Sequence, residues 1–192
     1  MLKKETDLLE NIRGCTTCAD LPLGPRPILQ FTARSKLLIV GQAPGRKTHD
    51  KGIPFDDPSG DRLRSWLGLG RKAFYNADKV AVVPMGFCFP GTGRSGDLPP
   101  RKECAEMWRK KVLDCLQSVE LTLVIGRYAL DWHLPQFEKF SVTEAVKSWD
   151  TLWPSQLILP HPSPRNNRWI KQNPWFEEEI IPALQCKIRL MF

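Results

Sequence analysis

Cys15-Thr-Thr-Cys18 stands near the start of the chain, and Cys88 and Cys104 follow much later, each beside a glycine- or proline-rich stretch. Thiolates drawn from distant parts of a sequence meet to hold a metal centre, and a four-thiolate set suits either tetrahedral zinc or an iron–sulfur cluster. Such a centre would tie the amino-terminal segment, residues 1–35, to the middle of the chain. The two other cysteines, Cys115 and Cys186, fall in helical patterns and read as core. Of the three histidines, His49 lies in a polar stretch and His133 beside Trp132 in a helical one, whereas His161 sits between prolines at a predicted strand end. An imidazole so placed can donate a hydrogen bond to an atom that gains negative charge as a bond breaks.

These groups need a scaffold, and the apolar pattern supplies one. Leu37 to Val40, Val80 to Val83, Leu121 to Ile125 and Leu157 to Leu159 have the length and β-branched content of buried strands. Helical patterns lie between them. Asp61 to Leu67 follows a predicted Pro58-Ser59-Gly60 turn, and Pro99-Pro100 opens a longer segment with Trp108, Val112, Cys115 and Leu116 on one face. A further helix begins after Gly126, and Asn173-Pro174 opens the last, which Pro182 should kink. Trp66, Trp108 and Trp132 fit helix faces and read as core. Alternating strand and helix predicts an α/β fold: a three-layer α/β/α arrangement around a mainly parallel four-stranded sheet. Function in such a fold gathers at the carboxyl ends of the strands. Those ends run into Gly41-Gln42-Ala43-Pro44-Gly45, into Pro84 to Gly91, into Gly126-Arg127, and into Pro160 to Asn166.

A chain of 192 residues is enough for one domain spanning 1–192 with its own core. No run of apolar residues reaches membrane-spanning length, and the first residues lack the apolar stretch of a secretory signal. A cytoplasmic monomer with no membrane partner is the expectation. In a reducing compartment clustered cysteines serve metals or redox chemistry rather than disulfides. The formal charge of +7 favours a polyanionic partner, and basic residues cluster near predicted loops at Arg34 and Lys36, at Arg46, Lys47 and Lys51, at Arg71 and Lys72, and at Arg165 and Arg168.

From Cys15 to Asn166 the chain resembles the uracil-DNA glycosylase superfamily, in particular its iron–sulfur branches, families 4 and 5. Gly41-Gln-Ala-Pro-Gly45 is similar to the first motif, Gly52-Ile-Pro-Phe55 followed by Gly60 to the base-stacking segment, and His161-Pro-Ser-Pro164 to the second motif. The resemblance implies excision of uracil or a related deaminated base from DNA by hydrolysis of the N-glycosidic bond. It also implies a structural 4Fe-4S cluster on Cys15, Cys18, Cys88 and Cys104, with zinc as the alternative. Phe55 would stack on a flipped base, and Gly41, Gln42, Ala43, Pro44 and Gly45 would line its pocket. His161 would act as electrophile, while Pro162, Ser163, Pro164, Arg165 and Asn166 would clamp the DNA.

The chain also departs from the family pattern. Ala43 stands where many members position water with a carboxylate or amide, and Gln42 stands where family 4 has glutamate. Asp56 is then the candidate water-positioning residue, with Asp57 and Asp61 beside it. Pro84 lies close to the usual base-reading asparagine, and proline can read no base edge. A module that binds nucleic acid through the same scaffold without excising a base is the alternative function.

Overall fold

Four apolar runs pair into one sheet because none has a polar side to show to water. The computed structural model describes residues 2–94 and 96–192, with side chains from Glu5 onward. In chain order its elements are α1 (Leu2–Arg13), β1 (Leu37–Val40), α2 (Arg46–Lys51), α3 (Pro58–Leu67), α4 (Arg71–Phe74), β2 (Val80–Val82), β3 (Thr92–Gly93) and β4 (Gly96–Asp97). There follow α5 (Lys102–Cys104), α6 (Lys110–Cys115), β5 (Leu121–Ile125), α7 (Arg127–His133), α8 (Val142–Lys147), β6 (Gln156–Leu159), α9 (Asn167–Gln172) and α10 (Ile181–Met191). The main sheet has the order β2-β1-β5-β6, and every pairing in it is parallel. Helices cover it, giving the three-layer α/β/α architecture. β1 and β5 are buried nearly throughout, as strands covered on both faces must be. Each Leu, Ile or Val enclosed this way contributes roughly 1.5–3 kcal/mol.

From β1 the chain moves outward to β2 and then crosses back to β5 on the other side, so the strand order reverses next to β1. That reversal opens a crevice at the carboxyl ends of β1 and β5. The outer edge of β2 is covered by the amino-terminal segment: Gln30 and Val82 exchange backbone hydrogen bonds of 3.0 and 2.6 Å, and Ile28 N–H donates to the Phe87 carbonyl at 2.7 Å. This pairing satisfies the edge and carries the chain before it toward the loop after β2.

Local chemistry moves several boundaries. Pro58-Ser59-Gly60, expected as a turn, is the first turn of α3, because the Asp57 carboxylate accepts the Gly60 N–H at 2.8 Å and Pro58 occupies a first-turn position that needs no donor. The segment expected to open at Pro99-Pro100 becomes helical only at Lys102 and passes through a π-helical turn at Ala105–Arg109. The last helix is not broken at Pro182. A π-helical turn at Phe176–Ile180 shifts the hydrogen-bond register just before the proline, and α10 then continues to Met191. Cys186 and Trp132, read as core, are both exposed, Trp132 at 45%. Among the described residues no helix is long and apolar enough to cross a membrane.

Candidate active site

Phe55 holds the least relaxed backbone of the site, with φ at +53°, the one positive value among the described residues other than glycine. An L side chain adopts that conformation at a cost and needs neighbours to hold it there. They are specific. Buried Arg64 of α3 donates to the Phe55 carbonyl at 3.1 Å, and the Tyr75 hydroxyl donates to the same oxygen at 3.3 Å. Gly60 packs so closely below that a Cβ there would stand 1.7 Å from that oxygen. The ring meets Phe74 edge-on at 6.4 Å between centroids and reaches over Gly41, at the end of β1. The phenyl face is therefore fixed beside the loop Gly41 to Gly45 before any ligand arrives.

That loop is itself held by the loop after β2. Met85 N–H donates to the Gly41 carbonyl at 2.8 Å, and Gly86 N–H donates to the Gln42 carbonyl at 3.0 Å. The Gln42 side-chain amide, expected to offer both a donor and an acceptor, has its NH2 committed to the Leu98 carbonyl at 2.9 Å, which leaves Oε1 as the group with capacity to accept. At the end of β6, His161 Nδ1 accepts the Ser163 N–H at 3.2 Å. An accepting Nδ1 places the ring proton on Nε2, so the imidazole is a donor there. Burial lowers the His161 pKa, opposed by the charges of Asp57 and Asp97, and keeps the ring neutral. Asn166, expected at the DNA surface, turns its amide back to the His161 carbonyl at 2.7 Å and braces the loop. Arg62 of α3 adds a bond to the Ser163 carbonyl at 3.0 Å and a second to Asn167. Pro164 and Arg165 lie exposed beyond it, Pro162 is buried, and the Ser163 hydroxyl accepts the Arg165 N–H at 3.2 Å.

Asp56, expected to position the water, is engaged by two cations. Its carboxylate is bound by Arg71 at 2.7 Å and Lys51 at 3.2 Å, which lower its pKa, and it is not among the charges that act on His161. The acidic neighbours of the imidazole are Asp57 and Asp97. Asp97 belongs to no motif in the sequence: it arrives on the β3–β4 hairpin, whose strands are too short for any periodic signal. Pro84 is buried at the end of β2, and the carbonyls of Val83 and Pro84 face the guanidinium of Arg109, with Nη1 at 3.3 and 2.9 Å. Arg109 is fully buried in the π-helical turn, bonded as well to His133 Nε2 and stacked over Trp132 at 4.9 Å. Burial lowers its pKa to about 10 and, with the Arg109 charge, lowers that of His133 to about 3.

Beside this crevice Cys15, Cys18, Cys88 and Cys104 line a single cleft with Pro25, Pro27, Phe87 and Trp108. Two routes bring them there: the edge pairing at Gln30 carries the first pair, and an Arg101–Asp20 ion pair ties the loop before Cys104 to the same segment. Burial pushes the Cys88 thiol up to about 11 and the Cys104 thiol up to about 12. Without a compensating cation both stay protonated. Backbone amides nevertheless point at the sulfurs, Phe87 N–H at Cys104 Sγ at 3.3 Å and Arg26 N–H at Cys88. At Cys15 the hydrogen bonds from Thr17 and Trp108 outweigh burial and lower the pKa. A cleft of four thiols with amide donors on the sulfurs fits a thiolate-bound metal group. Among the described residues, no three Cys, His, Asp or Glu side chains converge on one single-ion position.

A family model described as the uracil DNA glycosylase superfamily matches residues 29–185, a stretch that takes in Cys88, Cys104 and His161 and begins after Cys15 and Cys18. Among solved structures the chain is similar to a solution NMR structure of a protein from Methanosarcina acetivorans, described provisionally as a uracil DNA glycosylase. The identity is 14% and the TM-score 0.51, over 83% of this chain and 96% of that one. At that identity the likeness speaks for the fold. The family match spans most of the chain, including every strand of the sheet and the loops that carry Gln42, Phe55 and His161. The chain belongs to the uracil DNA glycosylase superfamily.

Proposed function

We propose that the protein is a DNA glycosylase that hydrolyses the N-glycosidic bond of uracil or a related deaminated base in DNA, acting as a cytoplasmic monomer built as one domain. The observation that carries this reading is the hydrogen bond from Ser163 N–H to His161 Nδ1, which leaves the proton of a neutral, half-buried imidazole on Nε2 at the end of β6. In this reading a flipped base stacks on Phe55 and presents a ring carbonyl to that donor. As the bond to the sugar breaks, negative charge gathers on that oxygen, and a donor already in place stabilises it without reorganisation. Backbone amides of Gln42 and Ala43 would bind the same carbonyl, and Gln42 Oε1 would offer an acceptor to a base N–H. Pro162, Ser163 and Pro164 shape the backbone contact, and Arg165 supplies charge for the phosphate or the gap left by the flipped nucleotide.

Cys15, Cys18, Cys88 and Cys104 would hold a 4Fe-4S cluster, with residues 1–35 as its amino-terminal half. The cluster supplies structural order to the loop after β2 rather than redox chemistry. Iron and sulfide in stoichiometric amounts in anaerobically purified protein, with broad visible absorption, are the expected result; stoichiometric zinc would reverse the assignment.

Excision is tested by incubating the protein with single- and double-stranded oligonucleotides that contain uracil, hypoxanthine or xanthine, then cleaving abasic sites with alkali. Product that vanishes in His161→Ala supports the enzyme. One observation favours the alternative of a binding module: the end of β2 offers the base a proline and turns its carbonyls to Arg109. Tight, salt-sensitive binding with no abasic product from any of these substrates would establish that module instead.

A further inference from the structure

The β3–β4 hairpin is pinned across the crevice from three sides. Gln42 Nε2 donates to the Leu98 carbonyl at 2.9 Å, and Leu98 N–H donates to the Gly91 carbonyl at 2.8 Å, which fixes the base of the hairpin. Gly96 lies so close to the loop after β6 that a Cβ on it would stand 2.8 Å from a guanidinium nitrogen of Arg165. On the other side, Asp97 Oδ2 comes to 3.2 Å from the position a Cβ would take on Gly45. The hairpin thus reaches both loops, Gly96 toward Arg165 and the Asp97 carboxylate toward Gly45, and Asp97 and His161 act electrostatically on each other.

The other nearby carboxylates are occupied. Asp57 caps α3 through the Gly60 N–H, and Asp56 is bound by Arg71 and Lys51. Asp97 is bonded by Thr92 and keeps an exposed, partly desolvated carboxylate. We infer that Asp97 is the group that takes the proton from the attacking water. The inference rests on the glycosylase reading and names a residue outside the motifs that suggested it. In the step, the bond from C1′ of the sugar to the base nitrogen breaks and its electron pair leaves with the base, whose carbonyl oxygen accepts a hydrogen bond from His161 Nε2. A water oxygen bonds to C1′, and the proton it sheds passes to the Asp97 carboxylate. A neutral donor on the base side and an ionised acceptor on the water side divide the work.

Burial raises the Asp97 pKa and the charge of Asp57 adds to the rise, while Arg165, His161 and a hydrogen bond from Thr92 oppose it. A carboxylate with a raised pKa is the stronger base, and it is lost as pH falls through that value. The rate therefore has an acidic limb that follows the raised Asp97 pKa.

Single-turnover excision is measured across pH with whichever of the uracil, hypoxanthine or xanthine oligonucleotides the wild type opens, and affinity is measured with an oligonucleotide bearing a tetrahydrofuran abasic analogue. Asp97→Asn is expected to lose about 100-fold in rate at neutral pH and to lose the acidic limb, with affinity within about threefold of wild type. Asp97→Glu recovers part of the rate, and Asp57→Asn retains the limb. An Asp97→Asn rate within about threefold of wild type, or a loss matched by an equal loss of affinity, overturns the assignment while leaving the glycosylase reading intact. A wild type that opens none of the three bases overturns both.

Discussion

His161 shows how much one hydrogen bond decides. Had Nδ1 donated, Nε2 would be an acceptor and would repel a developing oxyanion; because Ser163 N–H takes Nδ1, the ring can serve only as a donor from Nε2 while neutral. Its lowered pKa means the neutral form persists as pH falls through the ordinary histidine value, so an NMR titration of the folded protein should give a midpoint below 6.5. A midpoint above that value would mean an imidazolium at the site and would remove the neutral-donor role. His161→Gln, which keeps a donor of different reach, should slow excision by about 100-fold while leaving the thermal midpoint nearly unchanged. Phe55 works by surface rather than charge, and Phe55→Ala should weaken binding of the flipped base more than it affects the fold, since the ring is only partly buried.

At the level of elements, α3 is the piece that builds the platform. Its cap Asp57, its first-turn contact Gly60 and its buried Arg64 all act on the segment carrying Phe55. Gly60→Ala puts a methyl group 1.7 Å from the Phe55 carbonyl oxygen, a backbone atom that cannot yield cheaply. A loss of about 2–3 kcal/mol in urea unfolding is expected, together with weaker excision. The π-helical turn at Ala105–Arg109 serves the other side by aiming Arg109 inward at the end of β2. Arg109→Met leaves the Val83 and Pro84 carbonyls without their donor and should cost roughly 1–3 kcal/mol by the same measurement.

For the whole molecule, pH and the thiol cleft set the conditions of stability. The folded chain holds His133 neutral down to about 3, whereas the unfolded chain protonates it near 6.5. The unfolded state therefore binds more protons below 6.5, and stability falls with pH between those two values. The urea midpoint should drop by the equivalent of roughly 1–2 kcal/mol from about pH 7 to about pH 5. His133→Gln keeps an acceptor for Arg109, cannot titrate, and should flatten that slope; an unchanged slope would place the effect elsewhere. Each of Cys15→Ser, Cys18→Ser, Cys88→Ser and Cys104→Ser should remove the visible absorption and lower the thermal midpoint, and Cys115→Ser should do neither. Unequal effects within the four would mean that they do not share one group.

The sequence by itself determined the sheet and the order of the loops, because runs such as Leu37 to Val40 and Leu121 to Ile125 have no polar face and can lie only in a covered parallel sheet. It also singled out His161 and Phe55, whose residue types and neighbouring prolines and glycines are local features. What it could not hold was anything decided by contact between distant segments. Asp97 sits on strands two residues long, Asp56 looks like any loop carboxylate until Arg71 and Lys51 close on it, and Cys186 has a helical period but lies on the side of α10 that nothing covers. Periodicity records which face is apolar along one element; only the packed fold decides which charges meet across the crevice, because Coulomb and hydrogen-bond energies depend on distances that the chain order does not encode.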